Sequence, residues 1–195
     1  LGSMNEKKIL DVIKNLRSYW SGDLGIHTHD NLGKALSNSI FSMKNNVTWI
    51  DSTVTGMGRG PGNAKTESLI LEVNNYQKIY FDLLPILKII DKYFEKMKAF
   101  YKWGTNPFYH LAGKYSIHPT YIQEMLSQKI DDSKILKIIN QLKNGLGKKY
   151  DINLIRSEFQ KPIKIIDGNW KPKSKFKNKE VLFLASGSNL LSYKK

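Results

Sequence analysis

With 195 residues, 41% hydrophobic and 25% charged, the chain has the composition of a globular protein and the length for one well-buried core, or for a small core plus appendages. No apolar run approaches the roughly 20 residues of a membrane-spanning helix and no secretory leader precedes the first helix, so a cytoplasmic address is expected; the absence of cysteine excludes disulfides and thiolate metal sites. A net charge of +14 raises nucleic-acid binding, but only Arg17, Arg59 and Arg156 are arginines, and the lysines are spread along helix-like segments as solvated faces.

Leu1-Gly2-Ser3 before Met4 reads as the remnant of a removed fusion tag. From Asn5 to Trp20, Ile9, Leu10, Ile13, Leu16 and Trp20 recur at helical spacing, and Ser21-Gly22-Asp23 ends the run. Leu24 to His27 is a short strand. Asn31 is placed to cap a helix from Leu32 to about Lys44, with Leu32, Ala35, Leu36, Ile40 and Met43 on one face. Val47 to Val54 alternates like a strand, a glycine-rich loop spans Thr55 to Asn63, and a helix starts near Thr66. This alternation predicts parallel strands with crossover helices.

After Tyr76 the composition changes. Phe81 to Tyr101 reads as one long helix or a pair kinked near Pro85, followed by short helices at His110–Tyr115, Pro119–Lys129, Asp132–Asn144 and Asn153–Gln160. A boundary is expected near residue 80, with an α/β segment over 4–80 and a helical domain over 81–167. The Lys-, Pro- and Asn-rich stretch 168–179 reads as a linker. Val181-Leu182-Phe183-Leu184-Ala185 and the following Ser186-Gly187-Ser188-Asn189 resemble the opening of a further α/β domain over 180–195, and a longer parent protein is expected.

Two stretches could carry chemistry. In Gly25-Ile26-His27-Thr28-His29-Asp30-Asn31, strand alternation presents His27 and His29 to the same side while Thr28 faces away. Two neutral imidazoles, completed by carboxylate or water, suit Mn²⁺, Mg²⁺ or Zn²⁺. The competing reading is a pair of histidines that satisfy local hydrogen bonds at a strand end. In Thr55-Gly56-Met57-Gly58-Arg59-Gly60-Pro61-Gly62-Asn63-Ala64, glycines at every second position allow close backbone approach to a ligand, making Gly58, Gly60 and Gly62 candidates for substrate binding. The competing reading there is a surface loop. The stretch lacks the Lys-Ser/Thr ending of a phosphate-binding P-loop, and its glycine spacing is not that of a dinucleotide fingerprint.

Taken together, Gly25 to Gly33, Ala35-Leu36-Ser37-Asn38-Ser39 and Ile50 to Ala64 with Thr66-Glu67 resemble the DRE-TIM metallolyase (HMGL-like) family, in the branch of 4-hydroxy-2-oxovalerate aldolase. The resemblance implies an α/β fold: the last two strands of a TIM barrel and their helices, followed by an all-helical domain. It implies that His27 and His29 are ligands of a divalent metal, that Asn63 contacts the metal or its surroundings, and that Asp51 and the glycine loop belong to the last strand and its exit. The reaction implied is cleavage or formation of a carbon–carbon bond in a 2-oxo acid such as pyruvate, through a metal-stabilised enolate.

Pro107 to Tyr115 and Ile117 to Tyr121 resemble the helical domain of that branch, which contributes a tyrosine near the active site and contacts a partner dehydrogenase. A gapless register places Tyr101 at the tyrosine position, although a core aromatic is the competing reading there. His110 and His118 read as structural. The aspartate-bearing signature of the first barrel strand is absent from this sequence, so the polypeptide alone is expected to bind metal weakly, without turnover, and to self-associate through unpaired strand edges. The other functional readings are a non-catalytic assembly or partner-binding module and a basic nucleic-acid binder.

Overall fold

The computed structural model describes residues 2–159. The expected segments 168–179 and 180–195 lie outside the described residues. By its contacts, Leu1–Lys161 is one compact unit, which spans the expected boundary near residue 80.

Helix α1 (Glu6–Arg17) begins where the Asn5 side chain accepts from Lys8 N at 3.1 Å, satisfying one of the amides that a helix start leaves unpaired. It ends three residues before the expected Trp20. Of the predicted stripe, Ile9 and Ile13 are buried, while Leu16 and Trp20 are exposed. Arg17 accounts for the early stop: its guanidinium donates to Gly22 O and Asn46 O, tying the turn to the chain that leads into the second strand.

Strand β1 (Gly25–His27) pairs in parallel with β2 (Trp49–Asp51), with Ile26 opposite Ile50 and His27 opposite Asp51. The crossover helix is α2 (Ala35–Lys44). The helix–strand–helix–strand–helix order thus stands, with an α/β arrangement and a parallel pair. Ile9, Ile13, Ile26 and Val47 form the core here, with Leu24, Phe41 and Ile50 packed against them.

The α2 start needs correcting. Asn31 does not cap it, and Leu32 is not helical; Asp30 Oδ1 accepts from Ala35 N at 2.9 Å after a turn through Gly33 at φ 66°. The buried face is also different from the expected apolar stripe, consisting of Ala35, Asn38, Ser39 and Ser42. Small side chains let the helix lie close to the β1 exit, and their hydroxyls find partners there or on the helix itself. Ser42 Oγ donates to Asn38 O, and Thr28 Oγ bonds both Ala35 O and Ser39 Oγ.

The expected strand over Val47 to Val54 is shorter than the alternation suggested. Beyond β2 the chain enters a 3-10 turn (Val54–Gly56) in which Thr55 adopts φ 53°. Glu67 Oε2 accepts from Thr55 N at 3.0 Å and holds this uncommon conformation from α3 (Thr66–Gln77), which starts where expected.

The helical block opens with α4 (Leu84–Ile89), continues through a π-helical turn (Ile90–Phe94) and ends in α5 (Glu95–Tyr101). Pro85 lies in the first turn of α4, where its missing amide is not needed, so the irregularity falls at the π turn and not at the proline. Helix α6 (Pro107–Lys114) starts before the expected His110 because Asn106 accepts from the Phe108 and Tyr109 amides. Helices α7 (Pro119–Ser127), α8 (Asp132–Leu142) and α9 (Asn153–Phe159) follow. His118 has a structural role, as expected: its Nδ1 accepts from Thr120 N and caps α7. The second core is built from Tyr121, Ile122, Met125, Ile135, Ile138 and Leu142, all 0–1% exposed, with Tyr109 and Ala112 of α6 joining it. Tyr101 is not the core aromatic that its type suggested. It is 67% exposed and stacks edge-on with Phe100.

Candidate metal centre

Along the β1 exit, burial alternates residue by residue: Ile26 and Thr28 are buried, His27 and His29 exposed. That alternation turns both imidazoles to one side, with ring centroids 4.8 Å apart and planes at 75°. Thr28 faces the opposite way into the α2 contact.

Each ring is oriented through Nδ1. His29 Nδ1 lies 2.8 Å from Asn63 Oδ1. An amide oxygen only accepts, so Nδ1 carries the proton and the neutral ring offers its lone pair at Nε2. The Asn63 amide nitrogen donates to Met57 O at 3.1 Å, which fixes which end of the amide faces His29. His27 Nδ1 faces Asp51 Oδ2 across the strand pair at 3.5 Å, a looser version of the same arrangement. Such oxygen partners behind an imidazole orient it as a metal ligand and set its tautomer. Although the residue as a whole is exposed, partial desolvation of its ring holds the His29 pKa below the ordinary 6.5, against the opposing pull of the Asn63 hydrogen bond, with His27 adding to the depression. His29 is therefore neutral at neutral pH, the state in which it can bind a cation.

The glycine loop is folded against this strand exit. Asp30 N donates to Gly62 O, Ala64 N to Thr28 O and Asn63 N to Gly56 O. At Gly58, a Cβ would lie 2.6 Å from the Asn63 amide nitrogen, so only glycine leaves room for the residue that orients His29. At Gly62 (φ 77°) a Cβ would meet Gly56 O at 2.4 Å, and at Gly60 it would press on the buried Tyr109 ring. The close approaches that these three glycines permit are to the protein's own atoms; Gly60 also lines a cleft of about 210 Å³ that includes His29, Arg59 and His118.

The helical block locks the loop in place, a role that the sequence pattern did not reveal. Arg59 donates to Gln123 Oε1 and Thr120 Oγ on α7, Trp103 Nε1 to Thr55 O, Gly104 N to Gly60 O, and Thr105 Oγ to Asn31 O. Gly113 of α6 leaves no room for a Cβ beside Leu32 and Asn31. These contacts join residues 44 to 82 positions apart, and neither local periodicity nor motif spacing carries such information. The structure therefore brings together His27, His29, Asn63, Asp51 and the glycine loop. Tyr101 lines neither this cleft nor the larger cavity beside Asn63, and His110 is exposed.

Two imidazoles lie side by side on one strand face, but among the described residues no group of three or more His, Cys, Asp or Glu side chains is placed to hold an ion. Among these residues, too, no helix is long and apolar enough to cross a membrane.

Comparison with known proteins supplies the remaining context. Residues 1–89 match the HMGL-like family. A 4-hydroxy-2-oxovalerate aldolase of Rhodococcus opacus is 38% identical over 68 residues, which are 35% of this chain and 20% of that protein. A 2-isopropylmalate synthase of Ruminiclostridium cellulolyticum is 31% identical over 75 residues, 38% of this chain and 15% of that protein. The chain thus matches about a fifth of the length of the curated aldolases. Among solved structures, the N-terminal domain of a candidate aldolase from Bacteroides vulgatus superposes with a TM-score of 0.62 at 32% identity, over 70% of this chain and 44% of that one. The pyruvate carboxylase of Rhizobium etli, at 15% identity and a TM-score of 0.56 over 82% of this chain and 18% of that one, shares the fold alone.

Proposed function

With residues 1–89 an HMGL-like segment, we propose that the chain is the metal-binding C-terminal part of a TIM-barrel aldolase or lyase acting on a 2-oxo acid, joined near residue 80 to a helical domain that braces the site. The observation that carries this reading is the pair of imidazoles on one strand face, 4.8 Å apart, with an oxygen partner behind each Nδ1. A bound Mn²⁺, Mg²⁺ or Zn²⁺ would supply Lewis-acid stabilisation of an enolate, the chemistry of carbon–carbon bond cleavage or formation in a 2-oxo acid.

The chain's own residues prepare that site. His27 and His29 would hold the ion, Asn63 and Asp51 orient the two rings, and the lowered His29 pKa favours the neutral ring that binds a cation. Gly58 makes room for the Asn63 amide, and Arg59 anchors the loop to α7. Two imidazoles are too few donors for tight binding, so further ligands must join them before turnover, and the 195-residue polypeptide alone is proposed to be inactive. The parallel pair β1–β2 has its outer edges unpaired by any named strand among the described residues, which favours self-association or pairing with further parts of a larger protein.

The test is thermal unfolding with Mn²⁺, Mg²⁺ or Zn²⁺ against a chelator control. A concentration-dependent rise in Tm that disappears in the His27→Ala/His29→Ala variant is expected. No shift with any of the three ions would favour the non-catalytic module, and pyruvate release by the purified chain would refute its inactivity.

A further inference from the structure

Beside Asn63, but reaching away from the imidazoles, lies a cavity of about 550 Å³ between the glycine loop and the turn that joins α5 to α6. Its walls are fastened together: Trp103, only 6% exposed, donates its indole N–H to Thr55 O, and Gly104 N donates to Gly60 O. Lys65, Lys98 and Lys102 line it from three separate places, the end of the glycine loop, the body of α5 and its left-handed C-cap. Among the described residues, none of these three ammonium groups forms an ion pair with a carboxylate.

The acids facing the cavity balance it only in part. Asp30 accepts from the Ala35 amide and feels the charge of Lys65, and Glu95 is the other carboxylate in the lining, so three lysines face two acids. Three lysines against two carboxylates around a preformed hollow leave an excess of positive charge that an anion would balance.

We propose that this cavity binds the anionic oxygens of a small metabolite, a carboxylate or a phosphate, through Lys65, Lys98 and Lys102. The site does not require a metal, so it is tested apart from the reading above.

Calorimetric titration of the 195-residue chain at constant ionic strength, in the presence of chelator, uses inorganic phosphate in one arm and succinate in the other. Saturable binding of at least one is expected, and the arm that binds identifies the source of the anion. Lys98→Gln/Lys102→Gln should weaken binding about tenfold or more, as loss of two charge-assisted contacts does. Both side chains are partly solvent-exposed, and far-UV circular dichroism checks that the variant is folded. Lys7→Gln/Lys8→Gln on the exposed face of α1 removes the same net charge elsewhere and should leave binding unchanged. Failure of both ligands to bind, or equal weakening in the two double variants, overturns the proposal.

Discussion

Replacing Gly62 by alanine separates two reasons why a glycine can be required. The residue sits at φ 77°, and a Cβ there would lie 2.4 Å from Gly56 O. Gly33, at φ 66°, has nothing within 4 Å of the same construction. The left-handed backbone disfavours alanine at both positions by about 1 kcal/mol. Only at Gly62 must a backbone carbonyl also move, by about 1 Å to reach ordinary contact, and that carbonyl accepts from Asn63 N. Losing this bond between buried residues adds about 1–3 kcal/mol. Gly62→Ala should therefore destabilise the protein by roughly 2–4 kcal/mol and Gly33→Ala by roughly 1 kcal/mol, read from urea midpoints at unchanged m-value. Because Asn63 moves with the loop, Gly62→Ala should also lose the downfield His29 Nδ1 proton in NMR spectra, while Gly33→Ala keeps it. Equal midpoint shifts would refute the argument that loop packing, rather than φ alone, demands glycine at residue 62.

Thr28→Val should cost about 1–3 kcal/mol, because it leaves the buried Ser39 hydroxyl without its partner. It should leave any metal-induced Tm rise intact, since Thr28 faces away from the imidazoles; a lost metal response would contradict the strand alternation. Burial pushes the Tyr109 phenol above its ordinary 10.0, with Arg59 opposing. The folded form then keeps a proton that the unfolded chain releases, so stability falls as pH rises from about 10 toward the folded pKa. Tyr109→Phe should flatten that alkaline limb in urea unfolding against pH, and an unchanged slope would count against the assignment.

Much of the site was legible in the sequence because its signals are local. Strand alternation alone puts His27 and His29 on one side and Thr28 on the other, and crossover logic predicts the parallel pair that sets His27 opposite Asp51. Side-chain capping was harder to read. Asp30, Asn31 and Asn106 are all chemically able to cap, and the choice between Asp30 and Asn31 was made by the Gly33 turn, not by residue type. Apolar periodicity also misjudged α2, whose buried face is polar and small because Thr28, Ser39 and Ser42 satisfy one another or nearby carbonyls.

What only the tertiary structure decided is the environment of these groups. The Asn63 amide behind His29, the anchoring of Arg59 in α7, the burial of Trp103 over the glycine loop and the convergence of three lysines on one cavity all join distant parts of the chain. A residue's chemistry and its place in a local repeat are written in the one-dimensional pattern. Its burial, its hydrogen-bond partner and hence its protonation state arise from whichever surfaces the fold brings together, and those surfaces come from elements that no short window contains.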